Sequence, residues 1–158
     1  MTQSTCDLYD EHGDTLQVLP AELICFGGRT RFSGTAVTVK CFEDNSRIKE
    51  LGVTPGKGKV LIVDGGGSRR CALLGDMIAQ DFIDQQWEGV ILYGLIRDRQ
   101  ELSGMDLGVK ALGSIPRKST RRGEGQTDLP IQIAGARIHP GDQVFADEDG
   151  VVVMPATR

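Results

Sequence analysis

Asp76, Arg97 and Asp98 are the residues whose types and spacing allow chemistry in this chain. Arginine offers a rigid, bidentate fork for a carboxylate or an enolate. A carboxylate assisted by water is the usual way a protein holds Mg²⁺, which keeps much of its hydration shell and meets its substrate directly. Gly75, Asp76, Met77 and Ile78 open an apolar-periodic segment. The first turn of a helix there would present unpaired backbone N–H groups and partial positive charge, a seat for a carboxylate or phosphate. Plainer roles compete: Asp76 as a helix cap, and Arg97–Asp98 as an ion pair on a loop. Glu101 and Asp106, just downstream, are further acids that could support a metal's shell.

The elements around these residues have to position them. "KVLIVDGGG" reads as the clearest strand, apolar and β-branched up to Asp64 and three glycines. "SRRCALLG" follows as a short extended piece. From Gly75 on, Met77, Ile78, Phe82 and Ile83 recur every three to four residues, which predicts an amphipathic helix ending near Trp87. "GVILYG" reads as the next strand, parallel to the first if the helix is a crossover. Residues 77 to 96, twenty positions, separate Asp76 from Arg97. In a β-α-β unit both would fall at one edge of the sheet, where α/β sheets gather ligands. Arg97, Asp98 and the helix N-terminus would then converge on a single anion.

Elsewhere, residues 1 to 20 read as a short helix or cap, and "CFGGRTRFSG" as a turn-rich segment. "TAVTVKCFE", Thr35 to Glu43, reads as a strand, and "DNSRIKELGV" as a short helix opened by an Asp or Asn cap. "VKALGSIP" reads as one short strand. "LPIQIAGARIHPGDQVFADEDGVVVMP" is β in character, with turns at "AGA", "HPGD" and "DEDG". The reading is α/β: a single domain over residues 1–158, with a β-α-β centre and a β-rich C-terminal half whose strands cover the sheet.

Composition removes several classes of function. A net charge of −4 lacks the basic field of a nucleic-acid-binding surface. The four basic residues within "RKSTRRGEG" suit either a solvated loop or one facing an anion or a partner. The four cysteines show no C-x-x-C spacing and there are two histidines, which argues against zinc. "DGGGS" lacks the G-x-G-x-x-G spacing and "GKGK" is no P-loop; the glycines suit close backbone approach or packing of a neighbouring subunit. The acidic N-terminus has no apolar signal segment and no run is long enough to span a membrane, so reduced cysteines in the cytoplasm are expected.

Four stretches, "FGGRTRFSGTAVTVKCFEDN", "VLIVDGGGSRRCALLGDMIA", "WEGVILYGLIRD" and "PGDQVFADEDGVVVMP", stand in an order that resembles the RraA-like family over nearly the whole chain. That family joins bacterial regulators of ribonuclease E activity to the 4-hydroxy-4-methyl-2-oxoglutarate aldolases. The first stretch is especially similar to the regulators. The aldolases' acid, twenty-residue spacing and Arg-Asp pair match Asp76, Arg97 and Asp98. The resemblance implies that Arg97 and the backbone of Gly75, Asp76, Met77 and Ile78 bind a 2-oxo acid. It further implies that Asp98 ligates a divalent cation, Mg²⁺ or Mn²⁺, and that Asp76 holds a water of that ion. A swivelling phosphohistidine-like fold and a ring-shaped homotrimer with sites between subunits are implied too, with the pairing of trimers left open. Longer aldolases carry a C-terminal extension that brings a further acid to the neighbouring site; this chain stops at Arg158.

Two functions follow as expectations. One is metal-dependent retro-aldol cleavage of 4-hydroxy-4-methyl-2-oxoglutarate to two pyruvates, with oxaloacetate decarboxylation as a side activity through the same pyruvate enolate. No lysine is placed by motif for a Schiff base, which favours the metal route. The other is a non-catalytic regulator that binds and inhibits ribonuclease E.

Overall fold

A computed structural model describes residues 3–156. Among them the strands are β1 (Gln17–Val18), β2 (Ile24–Cys25), β3 (Phe32–Lys40), β4 (Lys59–Asp64), β5 (Ala72–Leu74), β6 (Gly89–Tyr93), β7 (Leu95–Ile96), β8 (Gly108–Ala111), β9 (Gly113–Ser114), β10 (Gln126–Thr127), β11 (Ile131–Ile133), β12 (Ala136–Ile138), β13 (Gln143–Asp147) and β14 (Gly150–Met154). The α-helices are α1 (Thr5–His12), α2 (Ser46–Gly52), α3 (Asp76–Asp84) and α4 (Arg99–Ser103).

The sheet centre is β3-β4-β6-β8, all parallel, and Val60 to Val63 and Val90 to Leu92 are buried on both faces. Continuous apolar runs of this kind are what a doubly covered parallel sheet requires. One face packs on α2 and α3 through Ile48, Ile78, Ala79 and Phe82. The other is closed by the β11–β12 hairpin, whose Ile131, Ile133 and Ile138 join Ile62 and Ile91. Antiparallel strands extend the flanks, β13, β14 and β1 beyond β3, and β2 beyond β8. The expected β-α-β centre with β cover is therefore present. So are the expected turns: Ala134 and Gly135 both take positive φ between β11 and β12, and Gly141 and Gly150 do so in the other two.

Three expectations need correction. The strand placed at Thr35–Glu43 runs Phe32–Lys40, because Phe32 to Thr35 pair with β13. "VKALGSIP" is two strands, β8 and β9, in different sheets, and "GVILYG" likewise stops at Tyr93 before a separate β7. After single residues, Gly94 and Leu112, β6 and β8 continue as β7 and β9, and with β5 they form a second, three-stranded parallel sheet. Arg97 thus follows β7, not the central strand that the sequence suggested.

The "DGGGS" glycines serve this change of sheet within the chain itself. Gly66 and Gly67 both have positive φ, near +70°, and Gly67 N–H donates to Tyr93 O at 3.1 Å. A Cβ on Gly65 would lie 2.8 Å from the same carbonyl oxygen.

Candidate active site

The second sheet brings the site together. Its strands β5, β7 and β9 run parallel, so Gly75, Arg97 and the segment after Ser114 leave from one edge. Gly75 is the N-cap of α3, in extended conformation, and no side chain from its own turn caps the helix. The first intrahelical bond, Ala79 N–H to Gly75 O, leaves the amides of residues 76 to 78 without helical acceptors. One of them is claimed from a distance: Asp76 N–H donates to Asp98 Oδ2 at 3.0 Å.

Asp98 is itself the N-cap of α4 but makes no cap bond there. Its backbone sits in the left-handed region, φ 56° and ψ 45°, a conformation uncommon outside glycine and tolerated best by Asp and Asn. Turned this way, its carboxylate reaches α3. Asp76 therefore does not cap α3 in the plain sense; it is the first helical residue, and its carboxyl faces that of Asp98. A hydrogen bond to Asp98, burial and the Asp98 charge, in that order, raise the Asp76 carboxyl above the usual range, against a smaller pull from the Met77 amide.

Arg97 and Asp98 are not a closed ion pair, since Nε stands 4.0 Å from Oδ1. Arg97 Nε is buried without a hydrogen-bond partner among the described residues. A buried guanidinium nitrogen lacking an acceptor beside two facing carboxylates is an arrangement that a ligand anion and a cation would complete.

All six expected residues, Gly75, Asp76, Met77, Ile78, Arg97 and Asp98, line one cavity of about 710 Å³. Met77 departs from expectation: placed by periodicity on the buried face, it is 82% exposed, whereas Ile78, Ala79 and Phe82 are buried. Asp106 is also not at the site; it pairs with Arg29 at 3.1 Å. Glu101 is not in the lining and acts on Asp76 through its charge alone.

The lining also contains residues that the sequence did not single out for this site: Asn45, Lys49, Lys118, Ser119 and Arg121. Three of these come from the basic segment, so its anion-facing reading is the one the geometry supports. The available signal was the density of cations in "RKSTRR"; Asn45 and Lys49 gave none.

A family model described as RraA-like, Aldolase/RraA, matches residues 2–153. The chain belongs to the RraA-like family. Among curated RraA-like relatives, a protein of Pseudomonas syringae pv. tomato is 51% identical over 96% of this chain and 94% of its own. One of Alcanivorax borkumensis is 51% identical over 98% of each. Both are provisionally named 4-hydroxy-4-methyl-2-oxoglutarate aldolase. Among solved structures, the RNA-processing inhibitor RraA from Thermus thermophilis superposes with a TM-score of 0.95 at 39% identity, covering 100% of this chain and 96% of that one. The RraA-like α/β fold is thereby shown over the described residues.

The donor set can be tested against a metal from this geometry. Among the described residues no three His, Cys, Asp or Glu side chains are grouped so that together they could hold a metal ion, which disfavours a closed zinc-type cage. Two carboxylates opening on a cavity suit Mg²⁺ or Mn²⁺, which are held by one or two carboxylates and water with room left for substrate. The residues fit such an ion.

Proposed function

We propose that this RraA-like protein is a lyase that cleaves 4-hydroxy-4-methyl-2-oxoglutarate into two pyruvates with the aid of a divalent cation, Mg²⁺ or Mn²⁺. The observation that carries this reading is the convergence of Arg97, Asp98, Asp76 and the first-turn amides of α3 on one cavity. The provisional aldolase names of relatives at about 50% identity point the same way.

The amides of Met77 and Ile78 and the Arg97 guanidinium orient the 2-oxo acid end of the substrate. A base removes the proton of the 4-hydroxyl, the bond between C3 and C4 breaks, and its electron pair moves onto C3 and the 2-oxo oxygen as pyruvate enolate. Arg97 faces the oxygen on which this charge develops. Asp76 holds the water that takes the hydroxyl proton, and the enolate is then protonated at C3 to give the second pyruvate. Asp98 would hold the cation, which when bound would supply Lewis-acid stabilisation of the same charge. Loss of CO₂ from oxaloacetate generates that enolate too, so decarboxylation is expected as a side activity.

No lysine is placed by motif for a Schiff base, but Lys49 and Lys118 do line the cavity. Both are exposed, without the apolar surroundings that turn a lysine into a Schiff-base nucleophile. Borohydride added during turnover is expected to leave the protein's mass unchanged. Thiol catalysis is equally disfavoured at Cys41, whose burial pushes it up to about 12.

The decisive assay follows pyruvate release from both substrates with Mg²⁺ or Mn²⁺ and then with EDTA. Activity that EDTA abolishes is expected, and Arg97→Ala and Asp98→Ala should each lose roughly 10²–10³ in kcat. The assembly proposed with it is a homotrimer, in which a neighbouring subunit would cover Met77; light scattering on the purified chain checks that. Free thiols at all four cysteines agree with the cytoplasm proposed as its location, and among the described residues no helix is long and apolar enough to cross a membrane.

Full-length likeness to the Thermus inhibitor supports a second reading, a protein regulator that binds ribonuclease E. Inactivity on both substrates with either metal, together with tight ribonuclease E binding, would favour it.

A further inference from the structure

The central parallel strands do not all end alike. β6 and β8 continue into the second sheet, whereas β3 and β4 stop at Lys40 and Asp64. A separate cavity of about 370 Å³ opens at these two ends, and its lining includes Lys40, Phe42, Asp64, Gly66, Glu124 and Gln126. It shares no lining residue with the cavity at Asp98. Carboxyl ends of parallel strands are where α/β sheets seat ligands.

Three of its polar groups stand in one row. Lys40 is the register partner of Asp64 on β4 and of Gln126 on β10, so the three side chains leave the sheet side by side on one face. Opposite charges set directly across two strands normally close on each other. Here they stay apart: among the described residues no carboxylate lies within ion-pair distance of Lys40. Asp64 Oδ1 accepts from the Gly66 amide at 2.9 Å, and Oδ2 has no donor among the described residues. The side chains of Glu124 and Gln126 have no partner among them either. Their segment is nevertheless fixed from α2, by Arg47 Nε donating to Gly125 O at 3.1 Å and Gly123 N–H to Ser46 Oγ at 2.8 Å. The remaining wall is aromatic. Phe42 is 55% exposed, with the Arg70 guanidinium 5.6 Å from its ring centre and Arg70 in turn paired with Glu43 at 2.6 Å.

An ammonium, two carboxylates and an aromatic ring, all in place and unmatched, define a ligand by complement. A simple anion would meet Asp64 and Glu124 as well as Lys40, and a simple cation would meet Lys40 beside Asp64. A molecule with both charges on adjoining groups fits the row: its carboxylate on Lys40 and Gln126, its ammonium on Asp64 and Glu124, its apolar part on Phe42. We propose that this cavity binds a free α-amino acid with an apolar side chain. The site uses no group of the cavity at Asp98, so it stands or falls independently of the lyase reading.

Calorimetry on the whole chain tests it with L-leucine, 4-methylpentanoate and 3-methylbutylamine. The three share a branched apolar chain; the second lacks the ammonium and the third lacks the carboxylate. L-Leucine is expected to bind at least about tenfold tighter than either, equally in Mg²⁺ and in EDTA. Lys40→Gln and Asp64→Asn should each weaken leucine about tenfold or more, while Lys49→Gln, in the other cavity, should keep the wild-type affinity. Lys40 is exposed, so Lys40→Gln folds and decides the matter even where Asp64→Asn does not. No binding of leucine, equal binding of all three ligands, or an unchanged leucine affinity in Lys40→Gln overturns the site. So does leucine binding that requires Mg²⁺ or is lost in Lys49→Gln, since either result would move the ligand to Asp98.

Discussion

Asp98 takes part in three contacts that pull on one another. It accepts from the Asp76 amide, faces the Asp76 carboxyl and stands beside the Arg97 guanidinium, all from a left-handed backbone conformation. Two carboxyls in contact repel when both ionise, and the Asp76 carboxyl is raised accordingly. A raised acid stabilises the fold fully below its unfolded pKa and loses that contribution as pH rises through its folded pKa. Metal-free Asp76→Asn is therefore expected to melt above wild type at pH 7, with the advantage vanishing below about pH 4, while its turnover falls; thermal melts across pH check the first half. Gly75→Ala tests the same junction by volume. An added Cβ would stand 2.7 Å from Asp98 Oδ2 and 3.0 Å from Arg97 Cγ. With φ at −132° the backbone itself accepts alanine, so the variant should fold and yet lose most of its pyruvate release.

At the scale of elements, the support behind the site is the buried N-terminal turn of α2. Asp44 is fully buried and accepts from Ser46 N–H at 2.9 Å, Arg122 N–H at 2.6 Å and Thr120 Oγ1 at 3.3 Å. Burial alone would push its carboxyl up; these hydrogen bonds outweigh it and hold it down at about 2. A depressed acid stabilises above its unfolded pKa and loses that contribution as pH falls through the folded one, so this clasp on the basic segment should open between about pH 4 and pH 2. Asp44→Asn is expected to cost about 1–3 kcal/mol at neutral pH. Faster amide exchange at residues 119 to 123 would locate the loss; uniform protection there would contradict it.

For the whole molecule, the arrangement concentrates opposite charges at one edge of an acidic protein. Asp76 and Asp98 meet Arg97 and the basic segment in a single cavity, although the net charge is −4. The far side is held by ordinary structural polar contacts, such as buried Lys110 Nζ donating to Asp147 O at 2.7 Å while Asp147 accepts from Thr5 of α1. Because a cation would relieve the acidic pair only in the folded state, Mg²⁺ at about 100 times its Kd should raise the wild-type Tm by roughly 5–10 °C. Asp98→Ala should show no such rise, and EDTA should reverse it in the wild type. An unchanged wild-type Tm at saturating Mg²⁺ and Mn²⁺ would count against the ion.

The sequence by itself determined what short-range pattern can determine. Apolar runs at Val60–Val63 and Val90–Leu92 specify strands buried on both faces, the three-to-four-residue spacing after Gly75 specifies a helix, and Asp76 with Arg97–Asp98 gives the site its chemical types. It could not show that the central strands break at Gly94 and Leu112 into a second sheet, because a one-residue change of sheet leaves no periodic trace. Nor could it show Met77 on the outside or Asp106 with Arg29, since both depend on which surfaces face each other. Only the tertiary structure brought Asn45, Lys118 and Arg121 into one cavity with Asp98. Those contacts join residues dozens of positions apart through backbone hydrogen bonds, which any side chain permits and which no local pattern records.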